Sequence, residues 1–319
     1  MKSKIFRFLG VLAMPLALFL VFQLTARGFG LHSLPIILSQ SMIPASMAFG
    51  MCMIMNTGMM DFSMGARSVF AAIIGGMLAV KYGAVGMISG CILGGMVGAL
   101  IMAVLYRVLR IPAMVVSLGV VMVYEVLSAK VAGSSGYIRI GSQLYSLMSY
   151  PNNLLLVCVI GILFYILFYK TRIGSNLIAV GNDELMCKNV GIDPARVKMN
   201  AFLLSGIFYA VAGVLYLCYS GSITASTGMA SMSLVFKPLM CVLIARQLRG
   251  LLDNMPVLIL IGSISLSIIF NGFIALGFSD AMQDVVLGIF MIVVMSYSSS
   301  AATLKDWNRR RKLRASQQN

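Results

Sequence analysis

Apolar runs of membrane-spanning length recur along almost the whole of this 319-residue chain. A helix needs roughly 20 apolar residues to cross the hydrocarbon core of a bilayer. The composition agrees, because 60% of the residues are hydrophobic and only 10% are charged, against about 25% charged in soluble domains. We therefore predict an all-α polytopic membrane protein of about ten transmembrane helices, several of them short or broken. The predicted spans are Phe8–Leu24, Pro35–Met55, Ala66–Val80, Val85–Tyr106, Pro112–Ala129, Asn153–Phe168, Arg196–Tyr219, Met232–Ala245, Met255–Leu276 and Met282–Tyr297.

The positive charges indicate how these spans are oriented. The chain carries 24 Lys and Arg against 9 Asp and Glu, and cytoplasmic loops of membrane proteins are enriched in Lys and Arg. When the spans are threaded with the N-terminus inside, most of the basic residues, Arg67 among them, fall on the cytoplasmic flanks. We therefore predict that both termini are cytoplasmic. Residues 1–304 would form the transmembrane domain, and residues 305–319 a basic tail that contacts membrane lipid. Because the surplus of positive charge is explained by orientation in the membrane, we expect no nucleic-acid partner.

Catalytic and metal chemistry find little support in the sequence. His32 is the only histidine, and the six cysteines are scattered without a C-x-x-C pair, so neither a zinc site nor a disulfide framework is indicated. The chain also has no G-x-x-x-x-G-K-[ST] phosphate loop and cannot hold ATP by that route. We expect no metal, no cofactor and no enzyme activity in this chain.

Glycines recur every four residues in the fourth predicted span, at Gly86, Gly90, Gly94 and Gly98. This spacing places positions without side chains on one face of a helix and lets a second helix approach closely. We expect tight, fixed packing there, and a sliding surface during gating is the alternative.

A few polar residues near or within the spans are candidates for function. Glu125 and Lys237 lie deep in apolar sequence, where a charge costs several kcal/mol unless it is paired or faces water. Glu125 could form an ion pair with Lys237 or instead reach the membrane interface. Asp61 can cap the helix that follows it, and a role in solute passage or gating is the alternative. The residues considered for the solute path or gating are Asn56, Asp61, Ser63, Glu125 and Lys237.

The longest predicted cytoplasmic loop, residues 171–198, contains the capping and stop residues of a short helix. Asn182 or Asp183 can cap that helix at its start, and Gly191 supplies a left-handed stop at its end. Asp193 can cap the next helix. A short helix tied to spans at both ends is a surface on which an outside protein could push, and an idle interfacial helix is the alternative.

Four segments of the chain match the pattern of a known family. Residues 179–198 resemble A-x-G-x-N-x-x-A-x-x-x-G-I-x-x-x-x-x-K in part, at Ala179, Gly181, Gly191, Ile192 and Lys198. Residues 56–66 resemble T-x-G-x-D-L-S-V-G in part. Residues 110–123 resemble R-x-P-x-x-x-x-T-L-G, and residues 204–216 resemble S-G-x-x-A-x-x-A-G. The chain therefore resembles the permease subunits of bacterial ATP-binding cassette (ABC) importers of the ribose, xylose, galactose and autoinducer-2 type.

The resemblance implies a permease in the bacterial cytoplasmic (inner) membrane with three kinds of protein partner. These are a second permease subunit in a homodimer or heterodimer, an extracytoplasmic solute-binding protein, and cytoplasmic ABC ATPase subunits. The expected cargo is a small polar solute such as a monosaccharide. Nucleosides, autoinducer-2-like molecules and branched-chain amino acids are alternatives, and an ion-driven secondary transporter of ten helices is the rival. The residues implied to contact the ATPase are Asn182, Asp183, Glu184, Leu185, Met186, Lys188, Asn189 and Gly191.

Two segments depart from the family pattern. Residues 224–238 lack the carboxylates of the family's G-Y-E-L-D motif and contain Lys237, and residues 245–254 replace a glycine-rich turn. Arg246 and Arg249 would not favour the backbone conformations that glycine allows. The chain could therefore pair with a more typical second permease or belong to a branch with a different solute.

Overall fold

The computed structural model describes residues 2–26, 28–147, 150–279, 281–293 and 296. The predicted tail, residues 305–319, and the end of the last predicted span lie outside this part of the chain. The helices are α1 (Lys2–Thr25), α2 (Leu34–Met55), α3 (Met64–Leu109), α4 (Ala113–Ala132), α5 (Ser142–Leu147), α6 (Asn152–Tyr165), α7 (Arg172–Asn182), α8 (Glu184–Asn189), α9 (Pro194–Ser220), α10 (Phe236–Leu248), α11 (Met255–Ala275) and α12 (Ala281–Val293). The shorter elements are strands β1 (Tyr137–Arg139) and β2 (Ser222–Thr224), 3-10 helices Leu31–Ser33 and Ala230–Val235, and a π-helical turn Ile166–Lys170.

These elements confirm the all-α polytopic class. Seven helical segments of the described chain are long and apolar enough to cross a membrane, and α12 and the apolar part of α1, Gly10–Thr25, are shorter. One of the seven, α3, contains two of the predicted spans, so the number of spans agrees with the roughly ten predicted from apolar length.

The longest element, α3, is a helical hairpin. Gly83 has φ 62° and ψ −143°, a backbone conformation that glycine adopts readily and that interrupts the helix between a first arm (64–82) and a second arm (84–109). The arms pack against each other so closely that a Cβ atom added to Gly90 would lie 2.8 Å from the Cα of Gly75. The four-residue glycine spacing is therefore confirmed as a packing face, and its partner is the preceding span.

Helix α9 lies at the centre of the bundle, where it packs against α3 on one side and α2 on the other. A Cβ on Gly206 would lie 2.7 Å from the carbonyl oxygen of Gly95 in the second arm of α3. On the side of α2, the ring of Phe208 packs against Phe49 with 6.0 Å between ring centroids. Small residues on one face and aromatic residues on the other thus fix α9 between its neighbours.

The two ends of α9 carry different structures. At its C-terminal end, β2 pairs with β1 as a short antiparallel ribbon, in register at Ile138 and Ile223, and both of these side chains are buried. The segment between α4 and α5, residues 133–141, therefore folds back over the bundle. At the N-terminal end of α9 lie α7 and α8. Since a helix rises about 1.5 Å per residue, these ends are roughly 40 Å apart.

Candidate functional sites

Helix α8 is built by local capping, as the loop pattern predicts. Asp183 adopts an extended backbone conformation and its Oδ1 accepts hydrogen bonds from the N–H groups of Leu185, at 2.9 Å, and Met186, at 3.0 Å. Asn182 is the last residue of α7, so Asp183 is the cap of the two alternatives. Gly191 follows the helix with φ 82°, which confirms the predicted left-handed stop.

The surface of α8 exposes apolar side chains outside the predicted spans. Leu185 is 72% exposed, Met186 65% and Val190, just after the helix, 74%. Large apolar side chains on a water-facing segment mark an interaction surface. Leu185 and Met186 in the first turn of α8, with Val190 just after the helix, make α8 a candidate contact for another protein.

A charged groove of about 670 Å³ lies beside α8. The end of α3 and the start of α9 supply its walls, and Lys198 forms an ion pair with Glu184 across it. Four basic and two acidic side chains line the groove, so its surplus charge is positive. The lining residues are Tyr106, Arg107, Arg110, Ile111, Pro112, Glu184, Lys188, Asp193, Pro194, Ala195 and Lys198.

The segment at residues 171–198 touches the end of α2 through backbone atoms. A Cβ added to Gly181 of α7 would overlap the carbonyl oxygen of Asn56, the residue that follows α2. On the other side of the same helix end, Arg246 Nη2 donates to the carbonyl oxygen of Met55 at 2.9 Å. The structure therefore places Asn56, a predicted path residue, between the segment at residues 171–198 and α10. Arg246, which departs from the family's glycine-rich turn, holds this helix end.

Asp61 and Arg67 form a buried ion pair, and both residues are 0% exposed. Asp61 Oδ1 accepts from the backbone N–H of Ser63 at 2.8 Å and from its hydroxyl at 2.6 Å. Asp61 therefore orders the turn before α3, although Ser63 occupies the N-cap position. The guanidinium of Arg67 lies 4.6 Å from the ring centroid of Tyr209 and donates to Ser205 Oγ at 3.3 Å. The sequence-based placement of Arg67 among exposed flanking charges is wrong, because Asp61 and α9 enclose it.

Glu125 and Lys237 are engaged by different partners. The Oε2 atom of Glu125 accepts from the N–H of Met229 at 2.7 Å, and Oε1 accepts from the N–H of Ser231 at 2.9 Å and its hydroxyl at 2.5 Å. Glu125 thus caps the 3-10 helix Ala230–Val235. The ammonium of Lys237 lies 4.3 Å from the ring centroid of Phe270. Both carboxylate oxygens of Glu125 accept hydrogen bonds in this cap. Among the contacts of the described residues, Glu125 does not form the ion pair with Lys237 that was considered from the sequence.

A cavity of about 440 Å³ opens between α2, the first arm of α3, α9, α10, α11 and α12. It lies at the end of the bundle that carries β1 and β2, since its wall includes the last residues of α9. Lys237 and Asp284 bring charges of opposite sign to it. The lining residues are Gln40, Ile43, Pro44, Met47, Ser68, Val69, Ala212, Tyr216, Tyr219, Ser220, Ser233, Leu234, Lys237, Pro238, Leu266, Ser267, Phe270, Ile274, Gln283 and Asp284.

A chain of side-chain hydrogen bonds ties three helices together at this cavity. Gln40 of α2 donates to the hydroxyl of Tyr219 of α9 at 2.6 Å and accepts from Asn271 of α11 at 2.6 Å. The sequence reasoning missed Gln40 and Tyr219 as site residues. Gln40 had a usable signal, because an amide within an apolar span is costly without a partner.

Comparisons with known proteins agree with this architecture. Residues 33–295 match the family described as branched-chain amino acid transport system / permease component. The autoinducer 2 import system permease protein LsrC of Yersinia enterocolitica is 29% identical over 223 residues, which cover 67% of this chain and 61% of that protein. LsrC of Yersinia pseudotuberculosis is 27% identical over 207 residues, 63% of this chain and 59% of that protein. The chain thus spans about three fifths of the length of these relatives.

A solved structure described as an inward-facing metal-chelate type ABC transporter has the same fold. It covers 90% of this chain and 98% of its own, with a TM-score of 0.51 and 16% identity. The family match extends over most of the chain and includes α2 to α12. The chain therefore belongs to the family of branched-chain amino acid transport system permease components, which confirms the permease resemblance drawn from its four sequence segments.

Proposed function

We propose that this chain is the membrane-spanning permease of an ABC importer and passes a small polar solute, of the monosaccharide or autoinducer-2 kind, into the cytoplasm. Membership of a permease family supports the transport role. The names of the LsrC relatives support a solute of the autoinducer-2 kind. ATP hydrolysis belongs to a separate subunit, because the sequence has no phosphate loop.

The exposed apolar surface of α8 is the observation that carries this proposal. Leu185 and Met186 are exposed in the turn that the Asp183 cap orders, within residues 179–198, which resemble the family pattern. Burying two such side chains against a partner contributes roughly 1.5–3 kcal/mol each. The positive groove beside α8 adds attraction for an acidic surface. We assign α8 and its flanking residues as the docking site of the ATPase.

The orientation that we propose follows from the basic residues. The end with α7 and α8 faces the cytoplasm, where both termini and the basic tail also lie, and the β1–β2 end faces outward. A solute-binding protein would then deliver its cargo at the β1–β2 end. A second permease subunit completes the importer, with residues 1–304 as the transmembrane domain.

The contact between Gly181 and Asn56 gives the ATPase a route to the bundle. A movement of α8 shifts α7, and α7 touches the end of α2 through backbone atoms. The segment after α2 carries Asp61, whose partner Arg67 packs on α9. Closure of the ATPase can therefore bias the bundle between two arrangements, provided that its contacts with α8 differ between them.

The test is co-purification of the tagged full chain with its ABC ATPase, alongside ATP-dependent uptake into proteoliposomes. The double substitution Leu185→Asp/Met186→Asp should weaken ATPase association at least about 100-fold, since it removes several kcal/mol of apolar burial. Ser175→Asp is the control for added charge, because it places one of the two negative charges of the double variant at an exposed position of α7 instead and should leave association unchanged. Equal recovery of the ATPase with the double variant and the wild type would overturn the assignment.

A further inference from the structure

We propose that the positive groove beside α8 binds the phosphate group of an anionic phospholipid. The groove has a volume of about 670 Å³, within the range of about 300–1,000 Å³ typical of pockets that hold small molecules. Basic pockets at the cytoplasmic ends of transmembrane helices bind the headgroups of anionic lipids. The inference rests on the proposed function for one point, the placement of this end of the bundle at the cytoplasmic face.

Three of the four basic side chains in the groove have no carboxylate partner among the described residues. Lys198 forms an ion pair with Glu184 within the groove. The other acidic residue of the lining, Asp193, pairs with Arg196 at 3.3 Å. A phosphate group accepts charge-assisted hydrogen bonds from several guanidinium and ammonium groups at once, so it suits the cations that remain. These cations are Arg107, Arg110 and Lys188.

The three cations come from two elements that meet at the groove. Arg107 lies in the last turn of α3 and Arg110 directly follows that helix. Lys188 lies in the last turn of α8. All three side chains belong to exposed residues, so a headgroup can reach them from the membrane surface. A phosphate held between them would link the end of α3 to α8.

Arg110 occupies a backbone position that glycine would fill at lower cost. Its φ is 55° and its ψ is 26°, which lies in the left-handed region where residues other than glycine are uncommon. Glycine is also the usual residue at the C-terminal end of a helix that stops in this way. An arginine at this position keeps a cation in the groove despite the backbone strain, and strained positions of this kind cluster at ligand sites.

The apolar surface beside the groove favours a phospholipid over a free phosphate. Ile111 lines the groove and is 40% exposed. On either side of it, Val108 near the end of α3 is 69% exposed and Val115 in the first turn of α4 is 56% exposed. A phospholipid carries a phosphate and acyl chains in one molecule, so it can fill the groove and cover these side chains together. A soluble phosphate compound would use only the charged part of the surface.

The test is the binding of phosphatidylglycerol with a fluorescent acyl chain to the full chain in detergent, measured by fluorescence anisotropy. Arg107→Gln/Arg110→Gly removes two of the three cations. Because glycine suits the left-handed backbone of residue 110, this variant should melt no lower than the wild type. Lys170→Gln/Arg172→Gln is the matched control, since it removes two exposed cations at the same end of the bundle and outside the groove.

The groove site predicts a loss of affinity that is confined to the first double variant. It should bind phosphatidylglycerol about 30-fold more weakly than the wild type, which corresponds to about 2 kcal/mol, or about 1 kcal/mol for each basic residue. The control should stay within about two-fold of the wild type, because exposed charges away from the site are screened in salt. Unlabelled phosphatidylglycerol should displace the probe, whereas phosphatidylcholine and sn-glycerol 3-phosphate at the same concentration should not.

Equal binding of phosphatidylglycerol by Arg107→Gln/Arg110→Gly and the wild type would overturn the site. Displacement by sn-glycerol 3-phosphate as effective as that by phosphatidylglycerol would assign the groove to a free phosphate compound and overturn the lipid. These measurements contain no ATPase, so they are independent of docking at α8. If the double variant keeps its lipid affinity but loses the ATPase in co-purification, the groove serves the partner protein and the lipid assignment is wrong. If it loses the lipid while no ATPase co-purifies even with the wild type, the lipid site stands and the proposed importer function fails.

Discussion

The substitution Asp61→Asn removes the negative charge of a fully buried ion pair while keeping the size of the side chain. Arg67 would remain as a buried cation in contact with the rings of Tyr209 and Phe202 and the hydroxyl of Ser205. Breaking a buried pair by removing one partner costs about 3–5 kcal/mol. For a chain of 319 residues, this free energy corresponds to a fall of about 4–7 °C in melting temperature.

The assay can use the protein's own cysteines. Five of the six are buried, so a dye that fluoresces on reaction with thiols reports unfolding of the detergent-solubilised protein as it is heated. Asp253→Asn is the matched control, because Asp253 pairs with Arg249 at 3.3 Å at the surface and is 72% exposed. Exposed ion pairs contribute about 0–1 kcal/mol, so the control should melt within about 2 °C of the wild type.

A double variant separates the loss of the pair from the loss of shape. Arg67→Met alone leaves Asp61 buried but still bonded to Ser63, whereas Asp61→Asn with Arg67→Met removes both charges. Replacing a buried pair by neutral groups is often close to neutral in free energy, so the double variant should melt above Asp61→Asn. An Asp61→Asn protein that melts with the wild type, or a double variant no more stable than Asp61→Asn, would refute the argument.

Four further substitutions test separate parts of the structure. Gly181→Ala should lower transport at least ten-fold and leave ATPase co-purification intact, because its Cβ would overlap the Asn56 carbonyl and move α7 off α2. Glu125→Gln should lower the melting temperature by about 2–4 °C, since a neutral amide replaces a charged acceptor of three hydrogen bonds. Asp183→Ala should cost α8 about 1 kcal/mol of helix stability and weaken ATPase recovery several-fold in pull-down measurements. Tyr219→Phe keeps the ring but loses the hydroxyl that accepts from α2, so uptake rates should fall several-fold while melting changes by only about 2 °C.

Local chemistry explains which parts of the fold could be predicted from the sequence. The Asp183 cap, the Gly191 stop and the glycine face of α3 depend on residues within a few positions of each other or on one helix face. The hairpin break at Gly83 follows from the same reasoning, because two apolar runs meet at a short segment that contains a glycine. For such features, the spacing of the residues in the sequence directly determines their arrangement in space.

Contacts between distant segments explain why other features could not be predicted from the sequence. Tyr219 lies 179 positions from Gln40 in the chain, and Asn271 lies 231 positions from it, and no pattern in one sequence relates such residues. Arg67 shows a different limit. The count of basic residues that gives the orientation treats every Arg alike, so it cannot recognise one that a carboxylate and two helices have enclosed.

The unequal arms of α3 determine where the groove beside α8 lies relative to the lipid. By the helical rise, the first arm (64–82) is about 28 Å long and the second arm (84–109) about 39 Å, while the hydrocarbon core is about 30 Å thick. With Gly83 at one boundary of the hydrocarbon core, a second arm of this length would extend past the other boundary by about two helical turns and would carry Arg107 and Arg110, beside α8, into the headgroup region. The depth of the groove is thus set by chain length. An insertion of one helical turn after Gly83 would move Arg107 and Arg110 about 5 Å away from the bilayer without altering any residue of the groove.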